Sequence, residues 1–140
     1  MLFSINNKRV PRKKDHLLDA GVDRMSTQEH EAILKAMNRH VDGVDYVELK
    51  FVVGRDWPPV YGPIYAAVGC DFDLARKLAG LILLDVMHDR KKEVWYLYKK
   101  TGEIRNEDET WEEVEFNVYF RKSFRKRKGK KRQKPVFVVD

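Results

Sequence analysis

The strongest constraint on this chain lies at its C-terminal end, where two runs with strand periodicity are joined by an almost unbroken cationic segment. Phe116, Val118 and Phe120 alternate with Asn117, Tyr119 and Arg121, which is the period-two pattern of a half-buried strand. Val136 to Val139 is a second run of strand formers. Between them, residues 121–134 hold ten cations and no acid: Arg121, Lys122, Arg125, Lys126, Arg127, Lys128, Lys130, Lys131, Arg132 and Lys134. Gly129 sits at the centre of this segment, where a turn needing positive φ is easiest to make. A fold-back there sets Phe120 opposite Val138 and predicts a basic β-hairpin arm over 121–140, with its return strand at 135–139 and its charges in solvent. The alternative is a solvated cationic tail, because blocks of like charge repel.

The charge balance of the remainder sharpens the point. Without the ten arm cations the chain has 18 Lys and Arg against 22 Asp and Glu, and a second basic cluster, Lys8, Arg9, Arg12, Lys13 and Lys14, accounts for five of those 18. An acidic body therefore carries two basic ends. Carboxylates repel a polyanion over the same Debye length, about 8 Å at physiological salt, over which cations attract it. Contact with a nucleic acid is then expected to be local, through the arm and the basic N-terminal segment.

The 140 residues suit one domain with a single core, divided into a basic N-terminal arm (1–14), an α+β core (15–120) and the basic arm (121–140). Three Trp, six Tyr and seven Phe belong to a folded chain rather than a disordered one. The 36% of charged residues, beside two Gln, five Asn and one Cys, leans toward a heat-adapted composition. Cys70 is alone, so no intrachain disulfide or multi-cysteine metal site can form. No stretch reads as a signal peptide or a membrane span, and a soluble cytoplasmic protein with no membrane partner is the expectation.

Along the chain, Leu2 to Ile5 reads as a short edge strand or irregular arm, and Asp15 to Ala20 as one helical turn stopped by Gly21. Ser26 followed by Glu29 is a capping-box spacing, and His30, Ile33, Leu34, Met37 and Val41 share one helical face that ends at Gly43. Val47, Leu49, Phe51 and Val53 then alternate as a strand. Gly54 to Pro63 holds too much proline for a sheet interior and reads as a stiff loop, after which Ile64 to Val68 is expected to resume the sheet. Asp71 or Asp73 caps a second helix running to about His88, apolar over an arc wide enough for the central helix of the core. Glu93 to Tyr98 reads as a strand, Lys100 to Glu103 as a turn and Ile104 as the start of a short return strand; six acids then crowd residues 106–115 around Trp111. The order predicts an α+β fold with a mostly antiparallel sheet of about five strands and two main helices on one face.

Catalytic signals are sparse. No HExxH, CxxC, GxGxxG or Walker-type spacing is present, and no metal or cofactor is expected. His88-Asp89 resembles the dipeptide of metal-dependent phosphohydrolases, but no partner histidines accompany it at a fitting spacing. Asp71, Asp73, Asp85 and His88 are the residues a small nuclease or phosphohydrolase would have to use. Capping of a helix explains Asp71 and Asp73 more simply, and a structural cationic partner explains Asp85. Cys70 has no basic neighbour to lower its pKa.

Binding signals are stronger. The arm suits phosphates, whose contact releases counterions with little reading of sequence. Lys13, Lys14 and the aromatics Trp57 and Tyr61 of the proline-rich loop are candidates for a secondary contact, although packing against the sheet would also account for Trp57 and Tyr61. The expectation is a non-enzymatic regulatory protein that docks on a nucleic-acid-handling assembly, of the transcription or replication type. Two alternatives stand beside it: a protein-binding modulator of a polymerase-type enzyme without nucleic-acid contact, and the small metal-dependent nuclease or phosphohydrolase. The partner is accordingly a nucleic acid or an acidic surface of a protein that handles one.

Overall fold

The computed structural model describes residues 1–48, 59–105 and 108–121. Among them the chain forms β1 (Leu2–Ser4), α1 (His16–Asp23), α2 (Thr27–Val41), β2 (Tyr46–Glu48), a 3-10 turn (Pro59–Tyr61), α3 (Gly62–Ala67), α4 (Phe72–Asp89), β3 (Trp95–Arg105) and β4 (Trp111–Arg121). The class is α+β, with four helices and a four-stranded sheet in the order β1-β3-β4-β2. That sheet is mixed, because β1 runs parallel to β3 while the other pairs are antiparallel.

Local chemistry sets the helix starts. The Asp15 carboxylate accepts from the Leu17 and Leu18 amides at 2.9 and 3.2 Å. At α2 the Ser26 hydroxyl accepts from the Glu29 amide at 3.0 Å while the Glu29 carboxylate accepts from the Ser26 amide at 2.9 Å, the reciprocal box expected from the spacing. Asp71 accepts from the Leu74 amide at 3.0 Å and opens α4. Along α4 the buried residues Ala75, Leu78, Ala79, Ile82, Leu83, Val86 and Met87 repeat at three- and four-residue steps, and the helix packs against α1, α2 and α3. It is the central helix.

Two glycines depart from their expected roles. Gly21 does not stop α1: it is buried inside the helix, and a Cβ there would lie 2.5 Å from Leu78 Cδ2, so its lack of a side chain is what lets α1 approach α4. Gly102 does not form a turn either. It lies within β3 opposite Val114, and a Cβ would come within 2.8 Å of the Phe116 ring, so the glycine admits a ring rather than a reversal. The strand expected to end near Tyr98 thus continues to Arg105, and its partner begins at Trp111 rather than Phe116. Near the reversal Asp108 accepts from the Thr110 amide and hydroxyl at 3.1 and 2.6 Å, and Glu109 takes φ 68°.

Ile64 to Val68 is helical rather than a resumed strand. Ile64, Ala67 and Val68 are buried at i, i+3 and i+4, and Pro63 stands in the first turn of α3, where its missing N–H costs nothing. The described residues thus form four helices rather than two main ones, and a mixed sheet of four strands rather than a mostly antiparallel one of about five.

The sheet separates two apolar clusters. Leu2, Val47, Trp95 and Tyr119 belong to the core built with the helices, whereas Phe3, Tyr46, Tyr96, Tyr98 and Phe120 form a second cluster that contains no helical residue among those described. Tyr96 stacks on Phe120 at 5.4 Å between centroids, and Phe3 tilts against Tyr96 at 6.2 Å.

Candidate interaction surfaces

Phe120 pairs with Tyr46 of β2 on one side and Tyr96 of β3 on the other. A strand has only two hydrogen-bonding edges, and at Phe120 both edges of β4 are occupied. The return strand at 135–139 and the arm cations from Lys122 to Lys134 fall outside the described residues.

Arg121, the last residue of β4, has a place of its own. Its amide donates to the Asp45 carbonyl at 3.0 Å, and its guanidinium carbon lies 5.6 Å from the centre of the Trp95 ring, within cation–π range. Its charge also helps to hold the Glu93 carboxyl below its ordinary pKa, after the larger effects of hydrogen bonds from Arg90 and Trp95. Arg121 is thus the root of the cationic segment rather than a projecting member of it.

The secondary candidates divide. Lys13 and Lys14 are exposed in the link that leads to α1. Trp57 lies outside the described residues. Tyr61 is 4% exposed within the helical core, and burial pushes its phenol pKa up, so its ring packs the core rather than offering an anchor to a partner.

Carboxylates of the helical body are tied to the body's own cations. Arg90 donates to Asn38 and Asp42 at 2.6 Å each and to both Glu93 oxygens at 2.8 and 3.0 Å; the Trp95 indole also donates to Glu93 at 2.8 Å. This network joins the ends of α2 and α4 to the start of β3. Nothing in the spacing of Asn38, Asp42, Arg90 and Glu93 announces it, because it is formed by chain ends that meet only in the tertiary fold. Asp73 pairs with Arg76 and, at 3.2 Å, with Lys77. Asp85, expected to need a cationic partner from the strands, finds Arg12 of the N-terminal segment at 3.5 Å, and the same guanidinium bonds Asp89 at 2.6 Å.

The residues of the enzyme alternative do not converge. Asp71 and Asp73 stand at the N-terminal end of α4 and Asp85 and His88 near its other end, some 18–25 Å apart at 1.5 Å per residue. Among the described residues no group of three or more His, Cys, Asp or Glu is placed to hold a metal ion, and no helix is long and apolar enough to cross a membrane. A cleft of about 400 Å³ lies between α4 and the β3–β4 hairpin, lined by charges of both signs, including Asp15 and Glu115 with Arg76, Lys77 and Lys99.

No protein-family model, curated protein or solved structure matches this chain.

Proposed function

We propose that this protein is a non-enzymatic accessory module that docks on a nucleic-acid-handling assembly of the transcription or replication type, with the basic segment after β4 as its contact to nucleic acid. The observation that carries this reading is the division of charge at the end of the sheet. Residues 122–140 hold nine Lys or Arg against one Asp, whereas residues 1–121 hold 19 against 21 acids. Arg121 supports it by fixing the point of departure: bonded to Asp45 and set over Trp95, it roots the segment on a strand flanked by neighbours on both sides. A body in which acids outnumber cations gives a polyanion no second broad surface to hold, so affinity resides in the segment and follows counterion release.

The test is an affinity capture from the native host on immobilised full-length protein, with and without nuclease treatment. The reading expects nucleic acid and nucleic-acid-binding proteins to be captured together and both to be lost after nuclease, and to be lost equally when Arg125, Lys126, Arg127 and Lys128 are all replaced by Gln. Partners that survive nuclease but not the fourfold replacement would mean that the segment grips an acidic protein surface. Capture unaffected by the replacement would remove the segment from the function.

A further inference from the structure

Where the N-terminal segment meets the C-terminal end of α4 there is a half-open pocket of about 670 Å³. Its apolar lining comes from Met1, Val10 and Pro11 above the buried Leu2, and Arg9, Arg12, His88 and Lys91 supply the polar part; no carboxylate lines it. Arg12 is matched by Asp85 and Asp89. Arg9 and Lys91 are exposed, and neither has an ion-pair partner among the described residues. His88 Nε2 is buried without a hydrogen-bond partner, an uncommon state for a buried nitrogen and one that a bound ion or water often explains.

Burial lowers the His88 pKa first and Arg12 lowers it further, with Asp85 and Asp89 opposing; at the Met1 amine burial again comes first, then Arg9, with Glu93 opposing. An apolar wall below a rim of two unmatched cations suits a ligand with an organic body and a doubly charged end.

We propose that this pocket binds a phosphate monoester. Arg9 and Lys91 hold the dianion, Arg9 through the paired donors that match phosphate oxygens. Arg12 stays clamped by its two aspartates and keeps the N-terminal segment in place over α4, while Met1, Val10 and Pro11 receive the organic part of the ester. Free small esters and the 5′-phosphate of a nucleic-acid strand share this chemistry. None of the residues that line the site belongs to the basic segment, and the proposal stands whether or not that segment contacts nucleic acid.

The experiment is a ¹H–¹⁵N titration of the full chain carrying the fourfold Gln replacement at Arg125, Lys126, Arg127 and Lys128, which keeps the basic segment from masking the pocket. Phenyl phosphate is the small probe, and a 5′-phosphorylated oligonucleotide is compared with its unphosphorylated form. Saturable shifts centred on the Arg9, His88 and Lys91 amides are expected, weakened at least about tenfold by Arg9→Gln with Lys91→Gln and unchanged by Lys92→Gln, a neighbouring cation outside the pocket. Both replaced side chains are exposed, so an unaltered amide spectrum verifies the fold. A preference for the phosphorylated oligonucleotide identifies a strand end as the source of the phosphate, and binding of phenyl phosphate alone identifies a small ester; either supports the site. Absence of saturable shifts, or equal binding with and without Arg9 and Lys91, overturns it.

Discussion

Arg90 is the residue on which the helical layer and the sheet most depend for registration. Its side chain is 12% exposed and bonds three partners, Asn38, Asp42 and Glu93, drawn from the end of α2 and the entry to β3. Replacing it with Met keeps the stem and removes the bonds, leaving Glu93 without its main partner, and is expected to lower unfolding free energy by about 2 kcal/mol in urea titration. Gly21→Ala acts by crowding. The added methyl meets Leu78 deep in the core, so a loss of about 1–3 kcal/mol is expected, whereas the same change at exposed Gly43, with open space around it, costs only what its φ of +80° imposes. His88 carries a pH dependence. Its folded pKa lies below the usual 6.5 because of burial and then Arg12, with Asp85 and Asp89 opposing and the Met1 amine adding a smaller push in the same direction as Arg12. The unfolded chain therefore binds the proton more readily, and the stability due to neutral His88 is whole above about pH 6.5 and is lost as pH falls through the lower folded value. Thermal unfolding between pH 7.5 and 5 should show this fall in the native chain and less of it in His88→Gln. A separate loss, below the ordinary 4.5 of Glu93, follows from the hydrogen bonds of Arg90 that hold that carboxyl down.

At the level of elements, legibility followed the length and kind of the signal. The start of α2 could be read because Ser26 and Glu29 fulfil two reciprocal bonds at a fixed spacing, and Ser26→Ala is expected to cost about 1 kcal/mol. The central position of α4 could be read because its apolar residues span more than one narrow stripe. Short α3 could not, since five apolar-rich residues after a proline fit a buried strand as well as a helical turn. The hairpin was misread for two physical reasons. Its outer half lacks a buried face: Trp111, Glu112, Glu113 and Glu115 are exposed, with Trp111 at 61%, so the alternation that marks a strand is missing there. Gly102 then resembles a turn residue, although it is needed to admit the Phe116 ring. Gly102→Val would favour strand geometry by propensity yet collide with that ring, and reduced stability by near-ultraviolet circular dichroism melting is the expected result.

At the scale of the whole molecule, the sheet accounts for where the cationic segment begins, and internal ion pairs tie Asp42, Asp73, Asp85, Asp89 and Glu93 to cations of the body. The sequence alone showed the segment and the excess of acids elsewhere. Arg12 holding Asp85 and Asp89, and the occupied edges on both sides of Phe120, depend on contacts between residues tens of positions apart and were beyond reach of periodicity. Arg9 and Lys91, likewise far apart in sequence, line the same proposed phosphate pocket. On the proposed reading, the response of nucleic-acid binding to salt is expected to come mainly from residues 122–134.

Duplex affinity measured against salt concentration tests that most directly. With about five of the segment's cations on phosphates, log K should fall against log salt with a slope of about −4.5, and replacing Arg125, Lys126, Arg127 and Lys128 together by Gln should flatten it. A slope that keeps its native value after those four charges are gone would contradict the account.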